Sequence, residues 1–528
     1  MTGLHRRNLI VAAGGLALAG GLGRAKAAWG TPRFVADPFS LGVAAGDPWP
    51  DGFVIWTRLA PEPTEPNGGM TDAAVPVRWE VAEDERFARV VRSGEAIARP
   101  ELAHSVHVEV DGLQPWRPYW YRFRVEGGDV SPVGKARTAP SAGVVPERAR
   151  LALAGCQAYP QGWFDAWSHI ARETDLDAVF HYGDYIYEYG VSRTVIRDAS
   201  GRTVDRQHSG GTEAYTLDEY RRRYAQYKSD PHLKAAHAAA AFIISFDDHE
   251  VDNDWASDFD QDGTPPETFA RRRYAAMQAW YEHMPVRRAQ FPRVDGLTMY
   301  RRLDYGGLFR MHVLDTRSYR SDQLCMTRDE RNCRVSDNPP GTILGAAQEA
   351  WLNEGLRTSD AKWNLIAQQV RVMPLKRRAP DGSFMPIPTD GWSGYPDSRA
   401  RLVQSIKAAR LSNVVIATGD AHMHNIGSVP FRDSEPDGPA AAVEFMASSI
   451  SSGGDGAAVT PVIQSYLDGR NPNLALANHQ RGYQVFDIAP DQWTADVKVM
   501  DRVQSPEGRC SSLARFAVGS SREGLGLR

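Results

Sequence analysis

The chain has 528 residues, 42% of them apolar and 24% charged, with a formal net charge of −4. That is the make-up of a folded globular protein, and the length predicts two or three domains rather than one. So small a net charge excludes the basic footprint of a nucleic-acid-binding surface, and a small anionic substrate would have to be attracted locally.

Arg6 and Arg7 come first, followed by an apolar, Gly-rich run from Leu9 to Leu22 and by Ala25-Lys26-Ala27, a cleavage-site-like triplet. Together they describe an export signal over residues 1–27. The apolar run is too short to span a bilayer, so no transmembrane segment is expected in the mature chain. The paired arginines, with Arg24 and Lys26 near the cut, resemble a twin-arginine signal, although His5 and Leu9 stand in place of the usual Ser and Phe. A general secretory signal is the alternative. The twin-arginine reading implies that export machinery as a partner and a periplasmic or secreted location, and it suits a protein whose cofactor is inserted before export.

Residues 34–140 carry short runs that alternate apolar and polar at a period of two: Val54–Thr57, Val77–Val81, His107–Val110 and Tyr119–Val125. Separated by Gly, Pro and Asp turns, they predict a β-sandwich. Leu113, Pro115, Tyr119 and Tyr121 resemble the corner of fibronectin type III domains, where a tyrosine pins a loop onto the sandwich. A Pro/Gly/Ala stretch from Thr138 to Pro146 reads as the linker to a second domain over residues 147–528. There strands alternate with helical patterns, as in an α/β fold. Leu217–Ala241, Thr268–His283, Gln348–Leu356 and Arg399–Ala409 are predicted helical, with Tyr220, Tyr224, Tyr227, Leu233, Phe269, Tyr274, Met277 and Trp280 as core.

Four polar clusters follow apolar, strand-like runs: Gly155-Cys156-Gln157 after Leu151–Ala154, Gly183 to Glu188 after Ala178–Phe180, Asp247 to Glu250 after Phe242–Phe246, and Gly419 to His424 after Val414–Ala417. Open α/β sheets keep their chemistry at the carboxyl ends of such strands, so one metal site assembled from distant segments is expected. Of the four cysteines, Cys325 and Cys333 lie close together in a polar loop and read as a local disulfide. Cys156 could pair with Cys510, but its place after a strand fits a ligand better.

The donors fall into two kinds. A thiolate (Cys156) and a phenolate (Tyr187) suit a strongly Lewis-acidic metal such as ferric iron, while Asp248, Asp252, Asn253 and Asp254 offer only oxygen, which suits calcium. Asp184 and Tyr187 can reach one ion from a tight turn, and Asp420 and His422 add an oxygen and an imidazole. Two ions about 3.5–4 Å apart can hold an activated hydroxide and polarise phosphoryl oxygens, with Asp184 as the shared carboxylate. His249, next to Asp248, is placed to protonate a leaving alkoxide or to bind a phosphate oxygen.

These clusters, with Asp252-Asn253-Asp254-Trp255 and Leu314 to Arg320, resemble the PhoD family of secreted alkaline phosphatases and phosphodiesterases, and more distantly the calcineurin-like metallophosphoesterases. The resemblance implies an α/β two-sheet metallophosphoesterase sandwich flanked by helices, preceded by the fibronectin-III-like domain. It implies Fe3+ held by Cys156, Asp184, Tyr187 and His422, and Ca2+ held by Asp184, Asp248 and Asp420, with Asn253 as a further ligand. The implied activity is hydrolysis of phosphate esters by a metal-activated hydroxide, releasing inorganic phosphate. Where the calcineurin-like pattern has Asn, this chain has Asp248, whose extra charge favours calcium.

Other readings stay open at this point. Arg317 is either a phosphate-binding catalytic residue or a buried partner of Asp315. His424 supports the site from behind or touches phosphate. Tyr185 and Glu188 close a turn. His104, His107, His208, His232, His237 and His312 read as packing. Glu444–Gly454 is a strand followed by a loop that either carries substrate contacts or lies on the surface. Phe384–Tyr395, around Trp392, could wall a pocket and favour a phospholipase D-type diesterase. A non-catalytic calcium-binding surface protein is the alternative of another class.

Overall fold

The computed structural model describes residues 34–293, 296–323, 341–521 and 524–528. The export signal and the Cys325–Cys333 pair lie outside the described residues. The chain forms a mixed α/β structure with two large sheets, and every polar cluster sits where a buried parallel strand ends.

Among the described residues the first large sheet has ten strands, and at its centre Ala149–Ala154, Ala178–His181, Ala241–Ile244 and Val43–Trp49 run parallel side by side. The second has seven, with a parallel centre of Phe309–Val313, Trp363–Ala367, Val414–Thr418 and Ala440–Met446. These strands read as near-continuous apolar runs because both faces are covered. In Val414–Thr418, Val415 and Ala417 join Leu151, Val179 and Phe486 in a core shared with the first sheet. Val414 and Ile416 pack oppositely, with Leu352, Leu402 and Ile463 of the helices Gly345–Arg357, Pro396–Ala408 and Pro461–Asp468.

The N-terminal region is less separate than the alternation suggested. Val75–Ala82, Val90–Ala98, Pro118–Val125 and Gly134–Arg137 form a four-stranded sheet. Val43–Trp49, Gly52–Arg58 and Ser105–Val110 instead extend the ten-stranded sheet, with Ala45 opposite Ala241. Val77, Tyr121 and Phe123 of the small sheet share one core with Val43, Ile55 and Ala241. A period of two reports which residues face a core and carries nothing about which sheet a strand joins. Tyr119 does hold a loop, its hydroxyl accepting from the Gln114 amide at 2.9 Å.

Local chemistry moved two helical expectations. The stretch 217–241 divides into Leu217–Lys228, Pro231–Ala239 and the strand from Ala241, because Pro231 cannot continue a helix and Asp230 caps the next one by accepting from the His232 and Leu233 amides. In the helix Pro266–His283, Phe269, Met277 and Trp280 are buried, whereas Tyr274 is exposed.

Candidate functional site

Three of the four clusters turn away from their strands through residues in left-handed backbone, with φ of 52° at Cys156, 54° at Asp184, 67° at Asp420 and 55° at His422. For residues with a Cβ this costs about 1–2 kcal/mol apiece. Such strain persists only where surrounding contacts fix it. Gly183 has φ 131°, and a Cβ there would lie 2.5 Å from Asp247 Cβ, so the turn before Asp184 is open only to glycine.

The turns are tied to one another. The amides of Cys156 and Gln157 donate to the carbonyls of Gly183 and Asp184, both at 3.0 Å. Glu250, fully buried, accepts from three backbone amides: Tyr185 at 2.6 Å on one oxygen, Asp184 at 3.0 Å and Asp247 at 2.8 Å on the other. Arg481 donates from one nitrogen to the carbonyls of His422 and Ser452 and to the Ser449 hydroxyl, at 2.7–2.8 Å. Ser448–Ser452 is buried, not a surface loop, and the Ser452 hydroxyl lies 2.7 Å from the Tyr187 hydroxyl.

Donor atoms of Cys156, Asp184 and His422 lie within 4.8 Å of one another, as do those of Asp184, Asp248 and His249, and those of Asp247, Asp248 and Asp420. Tyr187 belongs with the first group, its hydroxyl 2.7 Å from Asp184 Oδ2 and 3.0 Å from His422 Nε2. Asp184 is common to the first two groups. Asn253 lines the same cleft, its side-chain amide donating to Gln261. Asp252 turns away to Arg272 at 3.0 Å. Cys156 and Cys510 are both free, so the disulfide alternative falls.

This donor set fits a cation. Oδ1 of Asp184 and Oδ2 of Asp247 are buried without a hydrogen-bond partner among the described residues, and Oδ1 of Asp248 has only an ion-pair contact with Arg317 Nη2 at 3.5 Å. Burying such oxygens is costly unless a positive charge meets them. Burial, then the neighbouring carboxylates of Asp184, Asp420 and Asp247, push the Cys156 thiol well above its ordinary value. Burial, then Asp184 and Cys156, do the same to the Tyr187 phenol. Burial and Asp184 push Glu250 up to about 8, and burial with Asp390 and Asp248 pushes Asp254 up to about 7. A multivalent ion reverses that logic and lets these groups ionise.

His249 donates from Nδ1 to Glu188 Oε2 at 2.8 Å, and Glu188 also accepts from the Asn253 amide at 2.9 Å. Glu188 thus does more than close a turn. Burial alone would depress His249, but Glu188, Asp248 and Asp184 outweigh it and lift the imidazole well above its ordinary value. For Asp248, burial opposes ionisation, yet Arg317 and His249 hold it below the usual carboxylate range.

Two expected residues are placed differently. Arg317 is fully buried beneath the cleft, not in its lining: Nε donates to Asp247 at 2.6 Å and both terminal nitrogens donate to Asp390 at 2.7 and 2.8 Å. Asp315 receives only its backbone amide. His424 is likewise buried outside the cleft lining, its Nδ1 accepting from the Ser448 amide at 3.2 Å. The imidazole faces the sheet because the strand His424–Pro430 begins there.

The cleft above the acidic cluster measures about 860 Å³. Asp184, Asp248, His249, Asp254, Asp420 and His422 line it together with Met385–Gly391, Arg371, Arg377 and Tyr466. The segment before Trp392 is therefore a wall, whereas Trp392 itself is buried with its Nε1 donating to Gln368 at 3.3 Å. From sequence Glu188 reads only as closing a turn, Glu250, Asp390 and Ser452 lie inside named stretches without a role of their own, and Arg481 is given no role. Glu250 left a trace there, as an acid directly following Asp248-His249.

Comparison with known proteins places the chain among the phosphoric ester hydrolases. It belongs to the PhoD-like phosphatase family: residues 151–497 match that family and residues 23–140 match its N-terminal domain. The chain is 43% identical over 495 residues to alkaline phosphatase D of Bacillus subtilis strain 168, covering 94% of this chain and 83% of that protein. A solved structure of PhoD, 42% identical, superposes with a TM-score of 0.86 over 94% of this chain and 93% of its own.

Proposed function

We propose that this is an exported, metal-dependent phosphoesterase in which Cys156, Asp184, Tyr187 and His422 hold ferric iron, and Asp184, Asp248 and Asp420, with Asn253, hold calcium. The observation that carries the reading is Asp184, shared by two donor groups of unlike chemistry, one with a thiol and a phenol and the other built on Asp248. When bound, such ions supply an activated water and Lewis-acid polarisation of the phosphoryl group. The chain's residues do the rest. Asp184 is held in register by the Glu250 bridge to its amide. His249, kept protonated by Glu188, stands on the cleft wall to donate a proton to the leaving alkoxide. Arg317 acts as a positioning residue, fixing Asp247 beneath the cleft and Asp390 in its lining.

Residues 1–27 act as a twin-arginine export signal, residues 34–140 as an N-terminal β-domain and residues 147–528 as the catalytic domain in a two-sheet layered sandwich. Activity lies on the alkaline side, like that in the name of the Bacillus relative. Among the described residues no helix is long and apolar enough to cross a membrane.

Metal analysis of protein purified from its own export route, coupled to assay after calcium chelation, tests the reading. Iron and calcium should co-purify, activity should vanish on chelation and return with calcium, and Tyr187→Phe should abolish a visible phenolate-to-iron band. Colourless, iron-free protein with full activity refutes the iron assignment. The size of the cleft also favours diesters, since space remains beside the acidic cluster for a second alcohol. Rates on matched mono- and diesters decide between the two.

A further inference from the structure

Behind the thiol and phenol donors runs a short serine segment that the phosphoester chemistry leaves without a role. Ser448, Ser449, Ser451 and Ser452 are all fully buried. Their bonds go to the turns that carry the iron donors. The Ile450 amide donates to the Gly155 carbonyl at 3.0 Å, and the Ser451 and Ser452 amides donate to the Cys156 carbonyl at 3.4 and 3.3 Å. The Ser448 hydroxyl donates to the His422 carbonyl at 2.9 Å, and the Ser451 hydroxyl to the Ala158 carbonyl at 3.0 Å. The Ser449 hydroxyl donates to the Ser452 carbonyl at 2.7 Å, and Arg481 ties that carbonyl to the one of His422.

One side chain of this frame reaches a donor atom itself. The Ser452 oxygen accepts from the Ala158 amide at 3.0 Å, which leaves its single proton to be given. Two acceptors compete for it, the Cys156 carbonyl at 2.8 Å and the Tyr187 phenol oxygen at 2.7 Å. The carbonyl already receives two amides. The other neighbours of the phenol oxygen are Asp184 Oδ2 at 2.7 Å and His422 Nε2 at 3.0 Å, and a cation would claim both. With a cation in place the phenol is an anion, and a hydroxyl bonds an anion roughly twice as strongly as a neutral carbonyl. The proton then turns to Tyr187, and the amide on the Ser452 oxygen strengthens that bond.

We infer that Ser452 is a positioning residue for the phenol donor, its hydroxyl donating to the Tyr187 phenolate and so setting how strongly that oxygen gives charge to the iron. This rests on the iron assignment proposed above. A hydrogen bond on a ligand's own oxygen draws electron density away from the metal, which is how surrounding residues tune a site without joining it. Here it lowers the energy of the phenolate's donor electrons. That holds the phenolate-to-iron band at shorter wavelength and leaves the iron the stronger Lewis acid.

Visible spectra of the metal-loaded protein, normalised to iron by elemental analysis, test this. Ser452→Ala should move the band to longer wavelength, and Ser452→Thr, which keeps the hydroxyl, should return it to the native position. Ser449→Ala removes a hydroxyl of the same frame that does not touch Tyr187, and should leave the wavelength unchanged. Losing a partner of this kind costs about tenfold in metal affinity, so Ser452→Ala should also yield its iron to about tenfold less chelator. Native protein without iron or band overturns the iron assignment, and this inference with it. A native band that stays in place in Ser452→Ala, or moves as far in Ser449→Ala, overturns the inference alone, whatever happens to the iron content. If Ser452→Ala does not fold, native protein prepared in D2O decides: its phenolate C–O stretch in resonance Raman should differ from that in H2O, and an unmoved stretch overturns the hydrogen bond.

Discussion

Glu250→Gln is the sharpest probe of how the site is held. In the native chain one carboxylate oxygen accepts from Tyr185 and the other from Asp184 and Asp247, which joins the two turns that carry Asp184 and Asp248. A glutamine has one oxygen, so its amide nitrogen must face a backbone N–H. The best arrangement keeps the Asp184 and Asp247 bonds, now neutral and about half as strong, and strands the buried Tyr185 amide. Together these losses come to about 3 kcal/mol. That figure applies only to the metal-loaded protein. Without a cation, burial and Asp184 push Glu250 up to about 8, so near neutral pH it is largely protonated and already resembles glutamine. The variant should therefore melt about 6 °C lower than the native protein when metal-loaded, taking about 2 °C per kcal/mol for a long chain. It should melt nearly unchanged when both are stripped, and it should retain less metal on dialysis. Scanning calorimetry with and without a chelator, with elemental analysis of each sample, measures all three. Equal losses in the loaded and stripped states, or an unchanged metal content, would refute the argument that Glu250 acts through the ligand turns.

Other outcomes follow from the same geometry. In the stripped protein Glu250 and Asp254, pushed up to about 8 and about 7, bind more protons folded than unfolded. Its stability should fall as pH rises from about 4.5 to about 8, and metal should flatten that slope, as denaturant titrations across the range will show. His249→Asn should lower kcat by about 100-fold or more on alkyl phosphates but far less on p-nitrophenyl phosphate, whose leaving group needs no proton; equal losses would exclude the acid role. Arg317→Met leaves Asp247 buried without its cation, while Asp390 keeps Arg320 at 2.7 Å, and should cost about 3–5 kcal/mol, seen as lost soluble yield, whereas Arg317→Lys keeps the charge and should lose less. A fully stable methionine variant would show that Arg317 does not position the acidic floor.

The donor cluster was legible as a cluster because its residues are unusual side chains in a recurrent setting. Cys156, Asp184, Asp248 and Asp420 each follow a buried apolar run, and such a run ending in Gly or Asp is a local signal. The supporting residues left little trace. Arg317 sits between Asp247 and Asp390, which lie 70 and 73 positions away in the chain, and Arg481 reaches His422 across 59. Such partners become neighbours only when strands from both sheets end at one edge. His424 misled for a related reason: it stands two residues beyond His422, but the strand beginning there turns its ring toward Ser448 and Gln484.

By itself the sequence determined the class of structure, the parallel-strand ends that carry chemistry and the two kinds of donor, because hydrophobic run length and donor softness are properties of individual residues and short segments. Tertiary structure decided what no segment contains. It drew Val43–Trp49 into the catalytic sheet beside Ala241–Ile244, since edge pairing depends on which strand lies free. It converged the four turns on Asp184, since donor distances are set by how two sheets meet. It also brought Arg371 and Arg377 from one segment into the lining of the cleft that holds Asp184, Asp248 and Asp420.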